Sequence, residues 1–155
     1  FNELQLLMIQ TSVDYTIFFR ELSKIPEDIE ALKQSFYKDL RLDTEMQDSW
    51  SKWLIKWKSL ISKNIADINA SCSESRKNLS KQMKLVNPKY TLREWFLVPV
   101  YEQAKEENYS LIKELQEVMT QPYAEQSKEI EEKYYRLKPS QFFDLAGVSH
   151  VSCSS

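Results

Sequence analysis

The residues best equipped for chemistry stand at the end of the chain. Within seven positions the sequence places Gly147, its only glycine, His150, its only histidine, and Cys153, one of two cysteines. A histidine three residues from a cysteine suggests either two ligands of a metal or a thiol with its base. A structural zinc site needs four ligands, and Cys72 offers at most one more. A thiol nucleophile needs a third group to orient the imidazole and a rigid platform to hold the pair, and a chain end supplies neither. The plainer alternative, a disordered end whose cysteine does nothing, stays open at this point.

Other constellations are weaker. Lys52, Lys56 and Lys63 interleave with Trp50, Trp53 and Trp57, which superficially resembles a stacking platform for single-stranded nucleic acid. At helical spacing those lysines fall opposite the tryptophans, so core on one face and solvated charge on the other is the expectation. Glu129, Glu131 and Glu132 are expected to form a solvated face, because paired catalytic carboxylates need a pocket that shifts one of them. A phosphate-cradling loop needs several glycines, and there is one. The residues themselves therefore nominate no catalytic, cofactor-binding or metal site.

The bulk properties bound the rest. In 155 residues, 42% apolar and 12% aromatic content supports a real core. Twenty-one basic against twenty-three acidic residues leave a net charge of −2, no field for phosphate backbones or anionic lipid, so neither nucleic acid nor membrane is expected as a partner. The run Trp95 to Tyr101 is far too short to span a bilayer. Two cysteines without paired spacing do not make a disulfide framework. The opening FNELQLLMIQ begins inside an apolar helical pattern rather than at a cap, so a piece of a longer chain is expected.

With one glycine, five prolines and apolar residues recurring at helical spacing, the fold class is all-α. Helices are predicted over Asn2 to Gln10, after an Asp14 cap through Leu22, and from Pro26 to Tyr37 with Pro26 in the first turn. TEMQDSWSKWLIKWKSLISK gathers Trp50, Trp53, Leu54, Trp57, Leu60 and Ile61 on one face. NASCSESRKNLSKQMKLV predicts a more solvated helix ending near Asn87-Pro88, a candidate hinge. A helix follows from Tyr90 to Asn108, kinked at Pro99, and another from Leu111 to Met119 capped by Ser110. EQSKEIEEKYYRL predicts a last helix with Glu129–Lys133 and Glu132–Arg136 pairs. Regular structure is expected to fade beyond Pro139, giving a helical region 1–139 and a flexible cysteine-bearing tail 140–155.

Several strings together resemble the C-terminal region of the selenoprotein O family, the kinase-like protein adenylyltransferases. They are VDYTIFFREL (Val13 to Leu22), WSKWL (Trp50 to Leu54), NPKYTLRE (Asn87 to Glu94), QPYAEQ (Gln121 to Gln126) and the terminal VSCSS (Val151 to Ser155). Where the family usually continues Arg-Asn, this chain has Arg93-Glu94, and Lys138-Pro139 stands where the family often has two prolines. The resemblance implies a parent with a protein-kinase-like fold that uses ATP and magnesium to transfer AMP to protein hydroxyls, in mitochondria. Its nucleotide and metal residues would lie upstream, and this segment would pack on that core. Cys153 matches the terminal position held by selenocysteine in some members and cysteine in many others. With Ser152 beside it, no vicinal cysteine pair forms. In cysteine-type members that thiol is thought to pair with a cysteine near the activation segment, which would make this tail redox-regulatory. The alternative is an independent helical interaction module whose aromatic stripe binds a partner helix.

Overall fold

In the computed structural model Asp14 does two jobs at one corner. Its side chain accepts a hydrogen bond from Ile17 N at 2.9 Å, while its own N–H donates to Ser35 O at 2.8 Å. The structure describes residues 2–66 and 72–144, with side chains except those of 63–66, 72 and 73. Two α-helices flank the corner, α1 (Asn2–Thr11) and α2 (Tyr15–Leu22). The remaining α-helices are α3 (Thr44–Ala66), α4 (Cys72–Val86), α5 (Glu94–Lys105), α6 (Ser110–Thr120) and α7 (Lys128–Tyr134). Among the described residues there is no strand, only an isolated antiparallel bridge between Val13 and Phe36. The chain is all-α, in two compact units, Phe1–Asn87 and Pro88–Ser155.

The first unit is built around aromatic rings. Phe18 and Trp50 are wholly buried, with centroids 5.3 Å apart, and Phe36 meets Trp50 edge-on at 5.2 Å. Leu4, Leu7, Leu22, Ile29, Leu32, Trp53 and Leu54 complete this core. The indole N–H of Trp50 donates to the Thr11 hydroxyl at 3.3 Å, which donates on to Leu7 O, so the one polar atom of that ring is satisfied without water. The apolar stripe of α3 is core only in its first half. Trp50, Trp53 and Leu54 are buried and Trp57 partly so, whereas Leu60 is 54% exposed. Lys52 and Lys56 lie exposed as expected, and Lys56 pairs with Glu3 at 2.7 Å. The side chain of Lys63 falls outside the described residues.

The predicted α-helix from Pro26 to Tyr37 is instead a 3₁₀ helix, Ile29–Ser35. Asp28 is extended and caps it by accepting from Ala31 N, which leaves Pro26 outside the helix. At the other end the Ser35 hydroxyl donates to Leu32 O, and the Val13–Phe36 bridge pulls the chain straight. A segment pinned this tightly at both ends takes the longer rise per residue of the 3₁₀ form.

Helix α4, poor in large apolar groups, is held by polar side chains on backbone atoms. The buried Arg20 donates from one guanidinium nitrogen to Lys84 O and Asn87 O, both at 3.0 Å, serving carbonyls at the end of α4 that have no partner within the helix. Ser80 donates to Ser23 O at 2.6 Å, and the Asn87 amide to the Ser23 hydroxyl at 3.0 Å.

The second unit differs from expectation at three helix ends. Helix α5 begins at Glu94 rather than Tyr90, because Lys89 N and Tyr90 N both donate to Pro122 O and hold that stretch extended. Ser110 is the first residue of α6, not its cap, and Asn108 accepts from the Ser110 N–H and hydroxyl. Helix α7 ends at Tyr134, too early to bring Arg136 onto the face of Glu132. Arg136 lies over the Trp95 ring, Lys133 pairs with Glu114, and Glu132 pairs with Lys128. Past Pro139 a short 3₁₀ helix, Ser140–Phe142, sets Phe142 against Trp95 with centroids 5.7 Å apart.

Replacing Trp50 by Ala should cost about 3–5 kcal/mol, the range for emptying a fully buried aromatic site. Leu60→Ala should stay within about 0.5 kcal/mol, as an exposed substitution does. Denaturant unfolding of both variants checks the contrast.

Candidate functional site

Two of the strings that carried the resemblance, thirty-odd residues apart in sequence, fold into one node. Pro88 cannot continue α4, and the chain leaves it extended. The carbonyl of Pro122, in QPYAEQ, then accepts from Lys89 N at 2.8 Å and Tyr90 N at 3.0 Å, in NPKY. The Lys89 side chain is only 5% exposed, and its ammonium meets Glu125 at 2.5 Å and Glu131 at 3.0 Å. It also lies 5.0 Å from the centroid of the Tyr135 ring and 5.9 Å from that of Tyr90. Gln126 closes the turn by donating to Val118 O and Gln121 O.

The electrostatics of the node favour a fixed charge. Burial alone would push the Lys89 ammonium down, but the hydrogen bonds it donates to Glu125 and Glu131 outweigh it, and the net shift is upward. Lys89 is therefore a cation at any physiological pH, not a nucleophile or a base. Glu131, expected in a solvated face, is engaged here and 45% exposed. Beside it, Glu114 accepts from Lys133 and from the Tyr134 hydroxyl. Burial raises the Tyr134 phenol, and the Glu114 carboxylate raises it further, while for Glu114 itself the two hydrogen bonds outweigh burial and lower it. What these groups do is lock helix ends and turns. Nothing in the sequence nominated Lys89 as buried. The one available signal was a lysine beside a proline and a tyrosine in a stretch otherwise unexplained.

Cys153, His150 and Gly147 lie outside the described residues, and Cys72 begins α4 with its side chain likewise outside them. Among the described residues no three His, Cys, Asp or Glu side chains converge as a metal site. The acids that cluster are committed to cations, Glu125 and Glu131 to Lys89, Glu114 to Lys133, Asp39 to Arg41. Such a set does not fit a magnesium–nucleotide complex, which needs free oxygen ligands. No described helix is long and apolar enough to cross a membrane.

What the helices and the node define is a helical region in which the buried Lys89 is neutralised by Glu125 and Glu131. Comparison with known proteins places that region. The family profile described as protein adenylyltransferase SelO matches residues 1–120. Over 99% of its length the chain is 32% identical to a protein nucleotidyltransferase YdiU of Flavobacterium johnsoniae, covering 29% of that protein. A protein of the same name from Tolumonas auensis is 33% identical over 99% of this chain and 28% of its own length. The one from Burkholderia multivorans is 30% identical, again over 99% of this chain and 26% of its own. The chain belongs to the SelO family of protein adenylyltransferases, and it spans less than a third of the length of these relatives.

The node makes an asymmetric prediction. Glu125→Gln with Glu131→Gln strands a buried ammonium and should cost about 1–3 kcal/mol, less than the loss for a fully buried pair because both acids are half in solvent. Lys89→Met, which removes the charge and keeps the volume, should cost less than the double acid variant. Since the folded pKa of Lys89 is raised, its contribution is complete below the ordinary lysine range and is lost only as pH rises through the raised value. Thermal unfolding of the variants at neutral and strongly alkaline pH checks both statements.

Proposed function

We propose that this chain is the C-terminal helical region of a protein adenylyltransferase that transfers AMP from ATP to serine, threonine or tyrosine hydroxyls of other proteins. The observation that carries the reading is the match of 99% of the chain to between 26% and 29% of each relative. A kinase-like core outside these residues, the segment's partner in the same protein, would hold ATP and magnesium. A mitochondrial location belongs to the same reading and rests on the resemblance alone. The rival use of the aromatic stripe as a docking face for a partner helix is disfavoured, since Trp50 and Trp53 lie within the core of their own unit.

Within this reading Cys153 is the redox element. Flanked by Ser152 and Ser154, its thiolate is free of bulky neighbours in sequence, and access with thiolate fraction governs exchange with another thiol. A disulfide with a cysteine of the core would form as the two thiols give up two protons and two electrons to an oxidant such as hydrogen peroxide. The full-length parent is the protein to assay. Non-reduced peptide mapping after peroxide should find Cys153 joined to a core cysteine, and Cys153→Ser should abolish the redox response of adenylylation while leaving reduced activity unchanged. A Cys153 that remains alkylatable, together with an unchanged redox response in Cys153→Ser, would reject the tail's role. Absence of adenylylation by the wild type under any condition would reject the activity.

A further inference from the structure

A cavity of about 250 Å³ opens in the first unit between the 3₁₀ helix Ile29–Ser35, the extended stretch after it and the next 3₁₀ turn, Leu40–Leu42. Its floor is apolar, with Ile29 and Phe36 themselves part of the core and Leu40 packed against it. The floor is also fixed. Phe36 is held by the Val13 bridge and by its edge-on contact with Trp50. Such a concave apolar surface with a few convergent polar groups is what small-molecule sites are made of.

The rim carries the charge. Lys33 is paired with Glu30 at 2.7 Å. Asp39 grips Arg41 at several points, taking Nε at 2.9 Å and Nη2 at 2.7 Å, and accepting from the Arg41 backbone N–H at 3.0 Å. These hydrogen bonds hold the Asp39 carboxyl down at about 2, so the clamp persists across the physiological range. They also leave Nη1 of Arg41 without a hydrogen bond among the described residues, on a guanidinium whose plane is already set. Lys38, the third cation on the rim, has no carboxylate partner among the described residues. Three cations against two carboxylates leave one positive charge in excess, carried by two groups that still have donors to offer. A fixed guanidinium loses less freedom on binding than a mobile one, and a hydrogen bond between ions is stronger than one between neutral groups.

We propose that this cavity binds a small monoanionic carboxylate with an apolar body, the carboxylate at Lys38 and Arg41 and the body over Ile29, Phe36 and Leu40. A single negative charge balances the rim, whereas a phosphate dianion would overshoot it beside Glu30 and Asp39. A neutral ligand would forgo the ionic hydrogen bonds that Lys38 and Arg41 can donate. The amide of Gln47, also on the wall, can serve the second carboxylate oxygen.

The probes are 3-phenylpropionate, phenyl phosphate and 3-phenylpropanamide, titrated calorimetrically into the full-length protein, with hydrogen exchange locating the contact. Saturable binding of 3-phenylpropionate with protection confined to residues 29–47 is expected, and Lys38→Ala with Arg41→Ala should weaken it about tenfold or more. Both side chains are exposed, so the double variant should keep its unfolding midpoint, which is measured alongside. Lys52→Ala, exposed on α3, is the control and should leave the affinity unchanged. The proposal is overturned by absence of saturable binding, by protection elsewhere, by an affinity that ignores the double variant, or by phenyl phosphate or the amide binding as tightly as the acid. None of these outcomes bears on adenylylation or on Cys153.

Discussion

Every corner between the described helices has to be turned without glycine. The only one, Gly147, lies outside the described residues, and three others take left-handed backbone angles in its place, Ser12 at φ 53°, Ile25 at 55° and Glu107 at 59°. For a residue with a side chain this conformation costs roughly 1–2 kcal/mol, and a β-branched isoleucine is the hardest case. Each corner is therefore held by its surroundings. Ile25 is buried, donates to Leu22 O at 2.9 Å and accepts from Arg76 at 2.6 Å. Ser12 accepts from Tyr37 N. At the end of α5, Asn108 N donates to Gln103 O and Glu107 N to Ala104 O, the bond pattern that usually has glycine at its left-handed position. Local backbone preference opposes these turns, so helix packing has to enforce them.

Polar side chains do the enforcing where apolar ones are scarce. Arg20 binds carbonyls at the end of α4, Ser80 and Asn87 bind around Ser23, and the Gln126 amide binds the carbonyls of Val118 and Gln121. Most of these bonds end on backbone atoms, which fixes chain path more sharply than contact between methyl groups. In the second unit Lys89, Lys128 and Lys133 each meet a carboxylate of the same unit.

The aromatic helix was legible from its spacing, and Asp14 as a cap from its position before an apolar run, because both depend on residues within one or two turns. What was not legible depends on partners far away. The α-helix expected over Pro26 to Tyr37 is displaced by the Val13–Phe36 bridge, and the start of α5 is delayed by a carbonyl thirty-odd residues downstream. Leu60 continues the stripe of Trp50 and Trp53 yet lies exposed, since periodicity says which face an element buries but not how far along it the cover extends. The pairing of Glu131 with Lys89 was hidden for a related reason. An acidic run looks solvated until something brings a buried cation to it. The family strings, by contrast, were legible as strings before their geometry could be known, and NPKY with QPYAEQ turn out to be two halves of one contact.

The tryptophans also give the chain an optical anatomy. Three of the four fall in the first unit, where Trp50 meets Trp53 nearly edge-on at 5.9 Å and Trp53 stacks on Trp57 at 6.3 Å with planes 15° apart. Indoles that close share their excitation, so their circular dichroism and emission belong to the group rather than to any one ring. Trp95, in the second unit, sits among Phe96, Phe142 and Arg136 and emits as a single chromophore. Removing Trp95 spectroscopically isolates the first unit, and each half of the molecule can thereby be watched unfolding by its own light.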